Sequence, residues 1–153
     1  MSSSTFGAMT VKEFIGKQGQ EEIVAAIKKA ELDTSGEIRV HLESKCPSDP
    51  LQRAVYIFNY LKMYQTQARN GVLIYVAVES RKFAIIGDAG INKVVPYDFW
   101  DGIKDKMAVA FSQGFYVQGI SEAIREAGQS LKKYFPYQSD DVNEQPDEIS
   151  FGQ

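Results

Sequence analysis

Apolar and polar positions change period several times along the chain, and each change marks an element. Thr10 and Glu13 have capping-box spacing and open a short helical turn that Gly16 and Gly19 interrupt. Ile23, Ala26, Ile27 and Ala30 then recur at helical spacing, which predicts a helix over residues 20–32, closed by Thr34-Ser35-Gly36. Residues 37–43 alternate instead. Ile38, Val40 and Leu42 share one side, with Arg39 and His41 on the other, as in a half-buried strand near a sheet edge. Asp49-Pro50 supplies an N-cap followed by proline at the first helical position. The helix it opens runs to about residue 68, with Leu51, Ala54, Val55, Phe58 and Leu61 inward, and Asn70-Gly71 stops it.

Residues 71–78 are almost unbroken apolar, the pattern of a strand covered on both faces. Residues 79–81 form a polar turn into a third strand over 82–86. After a loop containing Pro96, Asp98 is placed to cap a helix to residue 112 that buries Ile103, Met107 and Ala110, until Gly114 breaks it. A last helix over residues 117–134 buries Ile120, Ala123, Ile124, Ala127 and Leu131, and Pro136 ends it.

The order α-β-α-β-β-α-α predicts a three-layer α/β/α sandwich on a small mixed sheet. A right-handed βαβ crossover makes the first two strands parallel, and a β-hairpin makes the third antiparallel. Residues 1–9 are expected to be a flexible N-terminus, 10–135 the folded domain and 136–153 an acidic tail.

These directions bring polar residues to one sheet edge. Parallel strands begin on the same side, so Glu37 meets Arg69 and Asn70 there. The third strand returns and delivers Gly87-Asp88 to the same edge, and Asp98 can join across its loop. Carboxylates with an amide oxygen suit a hard cation such as Ca²⁺ or Mg²⁺, making Glu37, Asn70, Asp88 and Asp98 candidate metal ligands. Arg69 is a candidate phosphate-binding residue, and Asp88 is the candidate catalytic group. Gly87 and Gly90 let the backbone approach a ligand closely. The same residues also read as scaffold: a helix stop at Asn70-Gly71, a Glu37–Arg69 ion pair, and a turn residue at Asp88.

Composition narrows the classes. The 153 residues suffice for one domain with a core, and 44% hydrophobic with 24% charged residues describes an ordinary globular chain. Five acids and no Lys or Arg fall in residues 136–153, leaving 17 basic and 15 acidic side chains elsewhere, a net of +2. That balance lacks the basic face nucleic acid demands. There is no apolar run long enough for a membrane span, the start lacks signal-peptide character, and Cys46 is the single cysteine. Together these set a cytoplasmic expectation.

Asn70-Gly71-Val72, the turn and strand from Arg81 to Ile86, Gly87-Asp88-Ala89-Gly90 and Pro96-Tyr97-Asp98 together resemble the TPM domain family. Thr34-Ser35-Gly36-Glu37-Ile38 and Phe115-Tyr116 extend the likeness over about residues 20–135. The resemblance implies a small α/β/α domain. Some members of the family are linked to divalent-cation binding and acid-phosphatase-type activity, others to photosystem repair or receptor accessory roles. Typical members carry a signal peptide and often a transmembrane segment. This chain is more similar to a shorter soluble bacterial branch, by residues 69–75 and the tail Asp147-Glu148-Ile149-Ser150-Phe151.

Other signals are weaker. Cys46 and Arg53 stand one residue too far apart for a cysteine-phosphatase loop, and Pro47 and Pro50 remove two donors from it. His41, the sole histidine, reads as a solvated or helix-covered strand residue. Tyr56, Tyr60 and Tyr64 form a helical stripe assigned to packing, with a partner surface second. Ile149 and Phe151 are apolar anchors within the acidic tail, which is expected to dock on the body or to carry a binding segment.

Two functions follow. One is a non-catalytic, cation-binding accessory or interaction module in protein assembly or quality control, with an unidentified protein partner. The other is a divalent-metal-dependent phosphatase acting on phosphomonoesters, the metal activating water and Arg69 orienting phosphate. No nucleophile is identifiable, which favours the first.

Overall fold

The computed structural model describes residues 9–138 and 145–152. Strands β1 (Glu37–Glu43), β2 (Gly71–Ala77), β3 (Lys82–Gly87) and β4 (Ser150–Phe151) form a single sheet in the order β3-β2-β1-β4. β1 runs parallel to both β2 and β4, and β2 is antiparallel to β3, as the crossover and hairpin require. Helices α1 (Val11–Ala30), α2 (Pro50–Tyr60), α3 (Ala89–Asn92), α4 (Asp101–Ser112) and α5 (Tyr116–Leu131) cover it.

Two apolar clusters show the three layers. Ile38, Val40, Leu42, Val72, Ile74, Val76 and Ile85 face Ile23, Ile27, Ile103, Met107, Ile120 and Ile124 of α1, α4 and α5. Leu73, Tyr75, Ala77 and Ala84 face Ala54, Ile57 and Phe58 of α2. Burying an aliphatic side chain contributes roughly 1.5–3 kcal/mol. A one-residue slip of β1 would turn Ile38, Val40 and Leu42 away from the larger cluster, so its register is strongly fixed.

Helix α1 begins with the expected capping box: Thr10 Oγ1 accepts from the Glu13 amide, and the Glu13 carboxylate accepts from the Thr10 amide. Gly16 breaks the helix with φ 81°. Gly19 does not interrupt it. It is a packing position, where a Cβ would lie 2.8 Å from Val117 of α5.

Other expectations are corrected as well. β1 lies next to the edge strand β4 but is not half-buried: all of its residues except Arg39 are buried. Helix α2 ends at Tyr60, where Lys62 adopts φ 55° and a 3₁₀ turn over Met63–Gln65 follows. It also buries Ala54, Ile57 and Phe58 while leaving Leu51 and Val55 55% and 46% exposed. The predicted stripe shares Ala54 and Phe58 with the real one and is rotated about the helix axis. Finally, Asp98 does not cap α4. That helix starts at Asp101, behind Trp100, and Asp98 lies exposed in the preceding turn, its carbonyl accepting from the Asp101 amide.

Candidate functional site

At the edge where β1 and β2 begin, four of the five candidate residues converge through the backbone. The Glu37 amide donates to the Asn70 carbonyl at 3.2 Å, and the Asp88 amide donates to the Gly71 carbonyl at 2.9 Å. Arg69 is held at φ 51°, a left-handed conformation that a side chain adopts at a cost. Its carbonyl accepts from the Gly90 amide at 2.8 Å. Gly90 must be glycine for this approach, since a Cβ there would lie 2.2 Å from the Ala68 carbonyl oxygen. Asp98 is not among the residues brought together.

The side chains are largely committed. Arg69 grips Asp88 with two hydrogen bonds, Nε to Oδ2 at 2.7 Å and Nη2 to Oδ1 at 2.8 Å. Asp88 Oδ1 also accepts from the Ala89 amide at 2.7 Å and caps α3. Asp88 is 6% exposed, whereas the Arg69 side chain is 50% exposed. The guanidinium therefore closes the site from its solvent side. Glu37 Oε1 accepts from the Gln145 amide at 3.0 Å, so its partner is the tail and not Arg69. Asn70 is 2% exposed. Its Nδ2 donates to the Ser35 carbonyl at 3.3 Å, and its Oδ1 is buried with no hydrogen-bond partner among the described residues.

Glu31 extends this acidic edge. Its Oε2 accepts from the Ile38 amide at 3.1 Å. Burial raises its pKa to about 9, reinforced by a hydrogen bond with Asp147 and by repulsion from Glu37 and Asp147. Glu31 therefore carries a proton at neutral pH and shares it with the tail.

For a hard cation these residues fit in part. Asn70 Oδ1 is an uncommitted buried oxygen, but the Asp88 carboxylate becomes available only if Arg69 swings out. Among the described residues no group of three His, Cys, Asp or Glu side chains is arranged to hold a metal ion.

A second polar cluster sits at the other end of β1, where sequence reasoning placed nothing. Glu43, almost fully buried, accepts from Arg53 at 2.9 Å and 3.0 Å, from the Tyr75 hydroxyl, and from His41 Nε2 at 3.1 Å. Burial raises the Glu43 pKa, but the hydrogen bonds from His41, Arg53 and Tyr75 outweigh it and hold it at about 2. Burial and the Glu43 carboxylate push the Tyr75 hydroxyl far up, so it stays a donor. An ionised carboxylate only accepts, so His41 Nε2 donates to Glu43, while Nδ1 lies 2.8 Å from Ser150 Oγ in a second hydrogen bond. The His41 and Tyr75 rings stack across the parallel pair at 6.0 Å. His41 is thus not solvated: it is buried against Glu43, Tyr75 and Ser150 of the tail strand. Cys46 is a loop residue, its Sγ 2.9 Å from the Ser48 carbonyl.

A four-stranded mixed sheet between helical layers, with a clasped acidic edge at the strand starts and a second polar cluster at the other end of β1, defines a small α/β domain. The TPM domain model matches residues 10–130, and the chain belongs to the TPM domain family. It is similar to the NMR structure of BA42 protein from the psychrophilic bacterium Bizionia argentinensis, at 48% identity and TM-score 0.87, covering 93% of this chain and 98% of that one. The N-terminal domain of cg2496 protein from Corynebacterium glutamicum shares the fold at 18% identity and TM-score 0.61, covering 93% and 91% of the two chains. No curated protein matches the chain. Among the described residues no helix is long and apolar enough to cross a membrane.

Proposed function

We propose that this TPM domain is a non-catalytic accessory or interaction module, of the kind used in protein assembly or quality control, with a protein as its partner. The observation that carries the reading is the commitment of Asp88. Both of its oxygens lie on the Arg69 guanidinium, and one also caps α3, so the candidate catalytic carboxylate is not free to act as base or nucleophile. The outer face of α2 adds support: Leu51, Val55, Tyr56 and Tyr60 are all exposed, a concentration of apolar surface of the kind that marks protein contacts.

The module takes a divalent cation, Ca²⁺ or Mg²⁺, at the Asn70 edge in competition with Arg69. Asn70 Oδ1 and Asp88 would hold it, Glu37 would join once the Gln145 amide yields, and Asp98 would have to fold in from its turn. Bound there, the ion would neutralise the acidic edge and tie the strand starts together.

Two measurements test the reading. Hydrolysis of 4-nitrophenyl phosphate with either metal is expected to be the same for the native chain and Asp88→Asn. Turnover lost in that variant would establish the phosphatase alternative and sink the module reading. In NMR titrations, Ca²⁺ is expected to shift residues 35–37, 69–71 and 87–91, more strongly in Arg69→Ala. Silence in both proteins up to about 10 mM would remove the cation.

A further inference from the structure

The tail is seated on β1 through a set of separate, chemically distinct contacts. Its ladder is short, with β4 pairing only His41 and Leu42 of the seven residues of β1, and the Gly152 amide adding a bond to the Leu42 carbonyl at 2.8 Å. The rest is side-chain recognition. Ile149 and Phe151 pack on the larger apolar cluster, and Lys12 lies over the Phe151 ring at 5.1 Å. Ser150 Oγ meets His41 Nδ1. Two positions on, only glycine fits, since a Cβ on Gly152 would lie 2.3 Å from Glu43 Oε1. Burial lowers the Arg39 pKa, and the nearby Glu148 carboxylate opposes that shift.

We infer that the groove beside β1 is a recognition site for an extended peptide in a partner protein, with the tail as its exchangeable resident. The inference rests on the interaction-module reading and names the partner's chemistry. That peptide adds a parallel strand to β1 and presents, in order, a neutral residue, an acid, an aliphatic residue, Ser or Thr, an aromatic residue and glycine.

The tail itself is an imperfect occupant, which is why it can be displaced. Its Asp147 sits beside Glu31, where a hydrogen bond and charge repulsion add to the burial that raises the Glu31 pKa. A partner with a neutral residue at the Asp147 position escapes that repulsion. Arg39 Nε, near Glu148 of the tail, is buried with no hydrogen-bond partner among the described residues, which leaves one donor of the groove unfilled there. A bound resident also lowers the apparent affinity for any competitor by the fraction of time the groove is open.

The test uses the full chain, isotopically labelled, and a synthetic peptide of residues 145–152 carrying Asp147→Asn. Addition of peptide should shift the amides of residues 37–43 and move those of residues 149–152 to free positions. In a Gly152→Val chain, whose own tail is excluded by Glu43, affinity should rise at least tenfold; Phe151→Asp is a second variant with the same expectation. The peptide of native sequence should bind more weakly than the Asp147→Asn peptide, and a Phe151→Asp peptide should not bind. No shift along β1 at about 1 mM peptide in either variant chain, with the rest of the spectrum unchanged, overturns the proposal, as does equal affinity for the two Asp147 forms. Neither outcome depends on phosphoester turnover, so failure here leaves the non-catalytic reading standing.

Discussion

Arg69 and Asp88 form a two-bonded clasp across the chain crossings at the strand starts, at 2.7 Å and 2.8 Å, with the arginine backbone in a left-handed conformation. The clasp has two separable parts, a charge pair and a helix cap. Asp88→Asn keeps an oxygen able to cap α3 and loses the pair, while Asp88→Ala loses both. Loss of an N-cap alone costs about 1 kcal/mol. Urea denaturation should therefore rank native above Asp88→Asn above Asp88→Ala, with the last step near that size. Equal stability of the two variants would remove the cap from the account.

Two glycines should respond in opposite directions. Gly90→Ala drives a Cβ into the carbonyl oxygens of Ala68 and Arg69, at 2.2 Å and 2.6 Å. Backbone has to move, and the expected loss is about 3 kcal/mol. Gly102 lies exposed in α4 with nothing within 4 Å of an added Cβ. Gly102→Ala should stabilise the chain by about 0.5 kcal/mol or more, because alanine is the better helix former. Thermal melts of the two variants give the comparison.

The strand-start edge was legible because it depends only on strand direction. Parallel β1 and β2 must begin together, and an antiparallel β3 must end beside them, which places Asp88 next to Arg69 whatever the loops do. The Glu43 cluster was not legible. Alternation assigns His41 to the opposite side from Ile38, Val40 and Leu42, but it does not reveal that a strand more than a hundred positions later will pair beside it and set Ser150 against its ring. The signal available was the pair Ile149 and Phe151, two apolar residues spaced like a strand inside an acidic tail. Asp98 was misplaced for a related reason. A loop's length does not fix its path, and here the chain spends Asp88 on a separate short helix before α4 begins.

Removing residues 138–153 strips β4 from β1 and exposes His41, Glu43 and the seat of Phe151. The thermal midpoint should fall by about 5 °C, the shift expected for a loss of roughly 2 kcal/mol in a chain of this length. An unchanged midpoint would show that the tail contributes nothing to the stability of the body.

Arg53 supplies the one cationic group that holds Glu43 with two hydrogen bonds. Arg53→Ala leaves the carboxylate buried with only Tyr75 and His41 as side-chain donors. Breaking a fully buried pair from one side costs about 3–5 kcal/mol. Arg53 is 24% exposed, so water replaces part of what is lost and about 2 kcal/mol is expected. Chemical denaturation of Arg53→Ala and of Arg53→Ala with Glu43→Gln separates the contributions, since neutralising the stranded carboxylate should recover part of the loss.

Two glutamates give stability an asymmetric dependence on pH. Glu43 has a folded pKa of about 2 against 4.5, so the stability it contributes is present above pH 4.5 and is lost as pH falls through about 2. Glu31 is shifted the other way, to about 9 against 4.5. Its contribution is fully present below pH 4.5 and is lost as pH rises through about 9, because over that window the folded chain binds the proton the unfolded chain has released. A single full proton would give a slope of about 1.4 kcal/mol per pH unit, and partial solvent access to Glu31 reduces it. Denaturation midpoints of the native chain should therefore decline from pH 5 to pH 9, while those of Glu31→Gln should stay nearly level. The acid-side loss should persist in Glu31→Gln and weaken in Glu43→Gln. A native profile flat between the two carboxylate windows would mean that Glu31 is ionised beside Asp147 and Glu37, and that the tail docks without sharing a proton.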